Sequence, residues 1–207
     1  MATIEQINDT TLYVSGNEMK LADMKRVLGA GITTIDDEVD EIQANPLSVS
    51  KDKIRKIYDK QKTAVGCEDT SFGFGATASM VKHLIKDCKE NGSELYDVLR
   101  ALAPKAEYVN YNSIVSFKDG TDEVHFHCTM KCYLCARTAP GMIDPFAIPV
   151  KYTIEQHLNG VKTVLVADEA IYNPDKLSIA QQPDNRPLVH ARYFALGVYK
   201  KWRDTRK

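Results

Sequence analysis

Two histidines and three cysteines crowd into eleven residues past the middle of the chain: His125, His127, Cys128, Cys132 and Cys135. Imidazole nitrogen and thiolate sulfur are donors that zinc accepts readily. Structural zinc sites usually draw paired ligands from two separated knuckles, and no second pair stands elsewhere in the sequence. On a helix Cys128, Cys132 and Cys135 share one face, where reduced cysteine packs as a small hydrophobe. Buried core is therefore the reading adopted, with no metal assigned and a Cys/His metal site kept as the alternative. The other small-residue cluster is Thr63–Ala78, with Gly66, Gly73 and Gly75. It has neither the Gly-Lys-Ser/Thr of a phosphate-cradling loop nor a dinucleotide fingerprint, so it reads as a ligand-fitting or flexible loop. His83, His157 and His190 are scattered, no Gly-x-Ser-x-Gly or His-Glu-x-x-His occurs, and the acids gather in Asp36–Glu41. No catalytic set assembles, and the chain is expected not to be an enzyme and to need no cofactor.

The C-x3-C-x2-C spacing of Cys128, Cys132 and Cys135 also resembles the cluster-binding loop of radical S-adenosylmethionine enzymes, where three thiolates leave one iron open. Those enzymes build a large barrel behind the motif. Only 72 residues follow Cys135, and the reading is set aside.

The elements that would position such residues centre on Met80–Asn110. Met80, Val81, Leu84, Ile85 and Cys88 recur at helical spacing, Asn91-Gly92 stops the run, and Ser93 caps a second helix carrying Leu95, Val98, Leu99, Leu102 and Ala103. Pro104 ends or kinks it. Upstream, Thr11–Val14 is strand-like and Glu18–Leu28 is a short helix, read together as part of an arm. A helix over Asp36–Ala44 is expected to end at Asn45-Pro46, and Ser48 or Ser50 to cap the next, over residues 51–62, with Ile54, Ile57 and Tyr58 as its stripe. Tyr108–Phe117 suits helix or strand, Asp119–Asp122 is a turn, and residues 151–159 and 162–171 flank Gly160 as strand or helix. Pro187 opens a last helix to Arg203, with Leu188, Val189, Phe194, Val198 and Trp202 inward and its basic residues outward. The pattern predicts a mainly α fold with minor β: an N-terminal arm and short helix (1–45), a helical-bundle core (46–171), and a loop with a basic C-terminal helix (172–207).

Composition narrows the class. Five cysteines fit a reducing compartment better than a disulfide framework. No apolar run is long enough to span a membrane, and no secretory signal opens the chain. Net charge is −1, yet the first fifty residues hold nine acids against three basic residues, and the last sixteen hold six basic residues against Asp204. An acidic head and a basic tail suit head-to-tail association or a tail that meets phosphate.

Leu95–Ala106, LYDVLRALAPKA, resembles the core helix of coat proteins of flexible filamentous plant RNA viruses. Ile85–Cys88 is similar to the end of that family's preceding helix, and Ala64–Ser71 to its Gly-Ser/Thr-rich connection. The likeness spans about residues 50–110. Tyr96 stands where the family has an RNA-contacting arginine, Arg100 lies one turn later, and no acid fills the place of the buried Phe-Asp-Phe aspartate near Phe126-His127-Cys128. The resemblance implies a viral coat or nucleocapsid-type subunit that polymerises into a helical filament around single-stranded RNA, found in the virion and the host cytoplasm. Its RNA contacts would be Ser71, Tyr96, Arg100, Lys105, Arg137, Lys200, Lys201 and Arg203, acting through phosphate neutralisation and stacking. A Cys/His metal-binding regulatory protein and a phage ring or neck protein are the alternative expectations.

Overall fold

The structure, a computed structural model, describes residues 10–73, 91, 107–134, 147–175 and 190–206. Most of the expected Met80–Asn110 hairpin lies outside them. The described residues form a seven-stranded sheet in the order β2-β1-β3-β4-β5-β6-β7. The strands are β1 (Leu12–Val14), β2 (Thr33–Ile35), β3 (Val65–Gly73), β4 (Tyr108–Lys118), β5 (Glu123–Leu134), β6 (Ala147–Leu158) and β7 (Val161–Ala170). β1 runs parallel to both β2 and β3, and from β3 onward each pairing is antiparallel. The helices are α1 (Glu18–Leu28), α2 (Pro46–Gln61) and α3 (Ala191–Asp204).

This is a mixed α/β architecture, and the mainly α expectation is wrong. β4 is buried on both faces through most of its length, so it lacks the polar/apolar alternation that marks a half-exposed strand. β5 does alternate. Val124, Phe126, Cys128, Met130 and Cys132 join one core cluster, while His125, His127 and Thr129 take the other face. Cys128 and Cys132 share a face because a strand repeats every two residues; the histidines point the other way. The envisaged Cys/His zinc cluster therefore cannot form from His125 and His127 with Cys128 and Cys132.

The sequence signals that held are local. α1 spans Glu18–Leu28 as expected, and the Asn17 side chain accepts hydrogen bonds from the Met19 and Lys20 amides. Asn45-Pro46, read as a helix end, instead begins α2: Asn45 accepts from the Ser48 amide at 3.0 Å, and Pro46 fills the first turn, where no N–H is needed. Asp119 Oδ1 accepts from the Thr121 and Asp122 amides and closes the β4–β5 turn. Asn159 and Gly160, both with positive φ, make the two-residue β6–β7 hairpin. Pro149 sits in β6 at a register shift, where a strand tolerates a missing donor.

Two layers cover the sheet. α1 and α3 pack on one face through Met24, Leu28, Ala195, Leu196 and Tyr199, against Tyr13, Val115, Phe117 and Phe126. α2 packs on the other through Ile54 and Ile57, against Val14, Val65 and Cys67. Tyr13 and Val14, adjacent on β1, thus belong to opposite layers. The segment expected to be an extended arm supplies core strand and core helix instead.

Candidate functional site

The parallel strands β1 and β2 end side by side, and polar groups collect beyond their carboxyl ends, the usual place for a ligand crevice in open α/β sheets. β1 gives way to α1 through Ser15-Gly16-Asn17. A Cβ on Gly16 would stand 2.2 Å from Glu38 Cγ, so a side chain there would have to displace the Glu38 side chain that lies against this turn. One turn into α1, Lys20 places its Nζ 3.0 Å from Glu68 Oε2. β3 runs on past the end of β1, and there Glu68 and Asp69 point to opposite faces.

Glu68, 1% exposed, faces α1 and α3. Its Oε1 accepts hydrogen bonds from Ser113, at 2.6 Å, and from Thr70. Its Oε2 meets Lys20 and, at 3.3 Å, Arg192 Nε. Burial alone would raise the carboxyl's pKa, but the two cations and the two hydroxyls outweigh it and hold Glu68 ionised well below the usual carboxylate range. Arg192 is fixed in turn by Asp23, at 2.6 Å, and by Thr70 Oγ1, and the Glu68 and Asp23 carboxylates keep it charged against its own burial. His190 caps α3, its Nδ1 accepting from the Arg192 amide while Nε2 meets the Tyr111 hydroxyl at 3.0 Å. Burial, then the Arg192 charge, pushes its pKa down to about 4. The ring is therefore neutral at pH 7.

Asp69 faces α2. Lys53 Nζ lies 2.9 Å from Glu41 and 3.5 Å from Asp69. Burial would discharge this lysine, but Asp69, Cys67 and Glu41 raise its pKa instead. Burial pushes the neighbouring Cys67 thiol up to about 12, which removes it as a nucleophile. The site therefore brings Lys20, Lys53 and Arg192 together with Glu41, Glu68 and Asp69 around one strand end. Glu41 and Asp69 are hard oxygen donors converging on a single cationic point, the chemistry suited to magnesium.

Of the residues expected to contact RNA, Ser71 lies in β3 beside this site, its buried Oγ without a hydrogen-bond partner. Lys200 and Lys201 sit toward the other end of α3, roughly 12–14 Å along the axis from Arg192. Arg203 is tied to the Tyr13 hydroxyl and the Leu28 carbonyl. Tyr96, Arg100, Lys105 and Arg137 lie outside the described residues. Glu68, Lys20 and Arg192 were missed. Lys20 stood in a segment read as an arm, Arg192 on a face read as solvated, and Glu68 in a stretch read as loop. The available signal was the order strand, Ser-Gly-Asn turn, helix at Leu12–Leu28.

The fold is shared with solved structures of low sequence identity. A HAM1 protein from Coxiella burnetii matches with a TM-score of 0.61 at 12% identity, over 94% of this chain and 99% of that one. The Ham1 protein of Staphylococcus aureus matches at 0.55 and 13% identity, over 95% and 100%. A nucleoside-triphosphatase / dITP/XTP pyrophosphatase from Mycobacterium abscessus matches at 0.53 and 19%, over 67% and 83%. Comparison with curated proteins yields no match. A Ham1 family model matches residues 11–142, more than half of the chain. That match overturns the filamentous coat-protein resemblance, and with it the non-enzymatic structural role, the RNA partner, the self-polymer and the place in a virion. The metal-regulator and phage-ring alternatives fall with them. The coat likeness rested on a short helical pattern, whereas the family match begins in β1 and runs through the strands that build the site. The chain belongs to the Ham1 family.

Proposed function

We propose that this chain hydrolyses nucleoside triphosphates between the α and β phosphates, releasing pyrophosphate and a nucleoside monophosphate. The observation that carries the reading is the buried Glu68 carboxylate clamped between Lys20 and Arg192 where the parallel strands end. The similarity to the Mycobacterium abscessus dITP/XTP pyrophosphatase supports the same reaction class and points to deaminated purine nucleotides as substrates.

Phosphoanhydride cleavage needs positioning and charge neutralisation more than covalent chemistry from the protein. Lys20, Lys53 and Arg192 supply positive charge for a polyphosphate. Arg192 is braced by Glu68, Asp23 and Thr70, so its guanidinium is set before substrate arrives. Lys20 has a flexible stem and is aimed by Glu68. Glu68 itself is a poor base, because two cations hold it ionised. Asp69 and Glu41, both ion-paired to Lys53, are the groups able to accept a proton from an attacking water. The same two carboxylates would hold the magnesium ion of a metal–nucleotide complex, which spreads charge over the phosphates.

Product analysis tests the reading. Purified protein is incubated with dITP, XTP, ATP and GTP in magnesium buffer, and pyrophosphate, orthophosphate and nucleotides are separated. Equal amounts of pyrophosphate and monophosphate are expected, fastest from dITP or XTP. Orthophosphate with diphosphate, or no turnover of any triphosphate, would sink it.

A further inference from the structure

We propose that the α2-side face of β5 and β6 carries a site for a divalent transition metal, zinc foremost, ligated by His127, Glu155 and His157. Glu155 stands directly across from His127 in the ladder, and His157, two residues on, shares that face. Each side chain offers one ligand atom, and the three atoms lie within 4.8 Å of one another. His157 Nε2 is 3.2 Å from Glu155 Oε2. Two ligands about 2.0–2.1 Å from a tetrahedral zinc stand roughly 3.3 Å apart. This pair is already spaced for one ion.

The surroundings fit a ligating role. His127 Nε2 lies 3.0 Å from Asn112 Oδ1, which also accepts the Thr129 hydroxyl proton. An amide oxygen only accepts, so Nε2 carries the proton and Nδ1 keeps its lone pair. A ligating histidine is usually oriented by such a contact at its second nitrogen. Two imidazoles and one carboxylate favour zinc over magnesium or calcium, and three protein ligands leave a fourth position for water.

One group works against the ion. Lys162 Nζ is 2.5 Å from Glu155 Oε1, and its charge repels a cation bound at the other oxygen. The site is separate from the Glu68 cluster, which lies on the opposite face. It is also two strand spacings, roughly 10 Å, from Asp69. The buried Cys128 and Cys132 point away from it.

Cobalt and zinc, each alone, are titrated into the chelator-treated full chain, with visible absorption and calorimetry as readouts. One equivalent of cobalt is expected, with tetrahedral d–d bands and no thiolate charge-transfer band. His127→Ala and His157→Ala should each weaken binding at least tenfold, and Lys162→Ala should tighten it several-fold. Glu155→Gln keeps the side-chain shape and should also weaken binding at least tenfold, which covers a histidine variant that fails to fold. No saturable binding, binding unchanged in Glu155→Gln and His157→Ala, or a thiolate band would each overturn the proposal.

Discussion

Two buried polar networks lie on opposite faces of the sheet, and they use their polar groups differently. On the α2 face, Ser50 Oγ meets Ser116 Oγ at 2.7 Å, Ser116 Oγ meets His125 Nδ1 at 2.7 Å, His125 Nε2 meets Glu123 at 3.2 Å, and Glu123 takes a bidentate pair from Arg55. Serine, histidine and glutamate in a row have the composition of a hydrolytic relay. Yet both serines and the histidine are sealed from solvent, each polar atom of the row has a partner, and burial, against Glu123, lowers the His125 pKa. On the α1/α3 face, Glu68 Oε2 and Arg192 Nε face each other and Lys20 as ions with no geometrically sound hydrogen bond. The satisfied network joins elements; the one with capacity left over is where a charged ligand adds contacts. Residue type alone would have ranked them in the reverse order.

The sharpest way to break this contrast is Glu68→Gln. The substitution leaves Lys20 and Arg192 buried without their shared anion, and losing one partner of a buried ion pair costs about 3–5 kcal/mol. Urea unfolding should show that loss, and triphosphate turnover should fall by about 10² or more as both cations lose their aim. Lys20→Met separates the two effects. It removes one phosphate-facing charge and should lower kcat by about 10²–10³ with a smaller stability change. Near-native turnover in a folded Lys20→Met variant would move the site elsewhere.

Acid response compares the faces through one histidine on each. His190 belongs to the Glu68 side, and His127 to the α2 side; burial lowers both to about 4. The unfolded chain binds protons at these rings near pH 6.5, and the folded chain does not until about pH 4. Stability is therefore full above pH 6.5 and falls as pH drops from 6.5 toward 4, by on the order of 2–3 kcal/mol per ring. Glu68 works over a lower range: its stabilisation is full above the unfolded carboxylate value and is lost progressively as pH falls below it. In urea unfolding at several pH values, His190→Gln should flatten the slope between pH 6.5 and 4 and leave the His127 share. An unchanged slope would mean that His190 is not buried neutral.

These contrasts also show what the sequence could carry. α1 was legible because its signals are local: Asn17 before the helix, Met24 and Leu28 at helical spacing, Gly29 after it. The Asp119–Asp122 turn was legible for the same reason. The sheet was not, because β4 is buried on both faces and its Tyr-, Val- and Ile-rich run fits helix or strand equally. Cys128 and Cys132 of β5, with Cys135 next in the sequence pattern, also match a helical face, and that accident favoured the bundle. The site was least legible. Glu68 and Arg192 are 124 residues apart and meet only because α3 packs over β4 and β5. No linear motif scan joins them, and reading Arg192 as a solvated charge followed from its basic neighbours.

The smallest expected effect is the most informative about the α2-face network. Ser116→Ala removes one hydroxyl that bridges Ser50 and His125. Ser50 can still turn its hydroxyl, but the His125 Nδ1 lone pair is left buried and unmet, which costs about 1–3 kcal/mol. No charge is stranded, so the loss should be smaller than for Glu68→Gln. Among the described residues no hydrogen bond or ion pair joins this network to the Glu68 or Lys53 clusters, so turnover of a triphosphate should stay within about twofold of the parent below the unfolding transition. Thermal melts and initial rates on the same preparation check both halves. A large rate loss at full folding would mean that Ser116 and His125 serve the chemistry after all, and the division between a structural face and a functional face would fail.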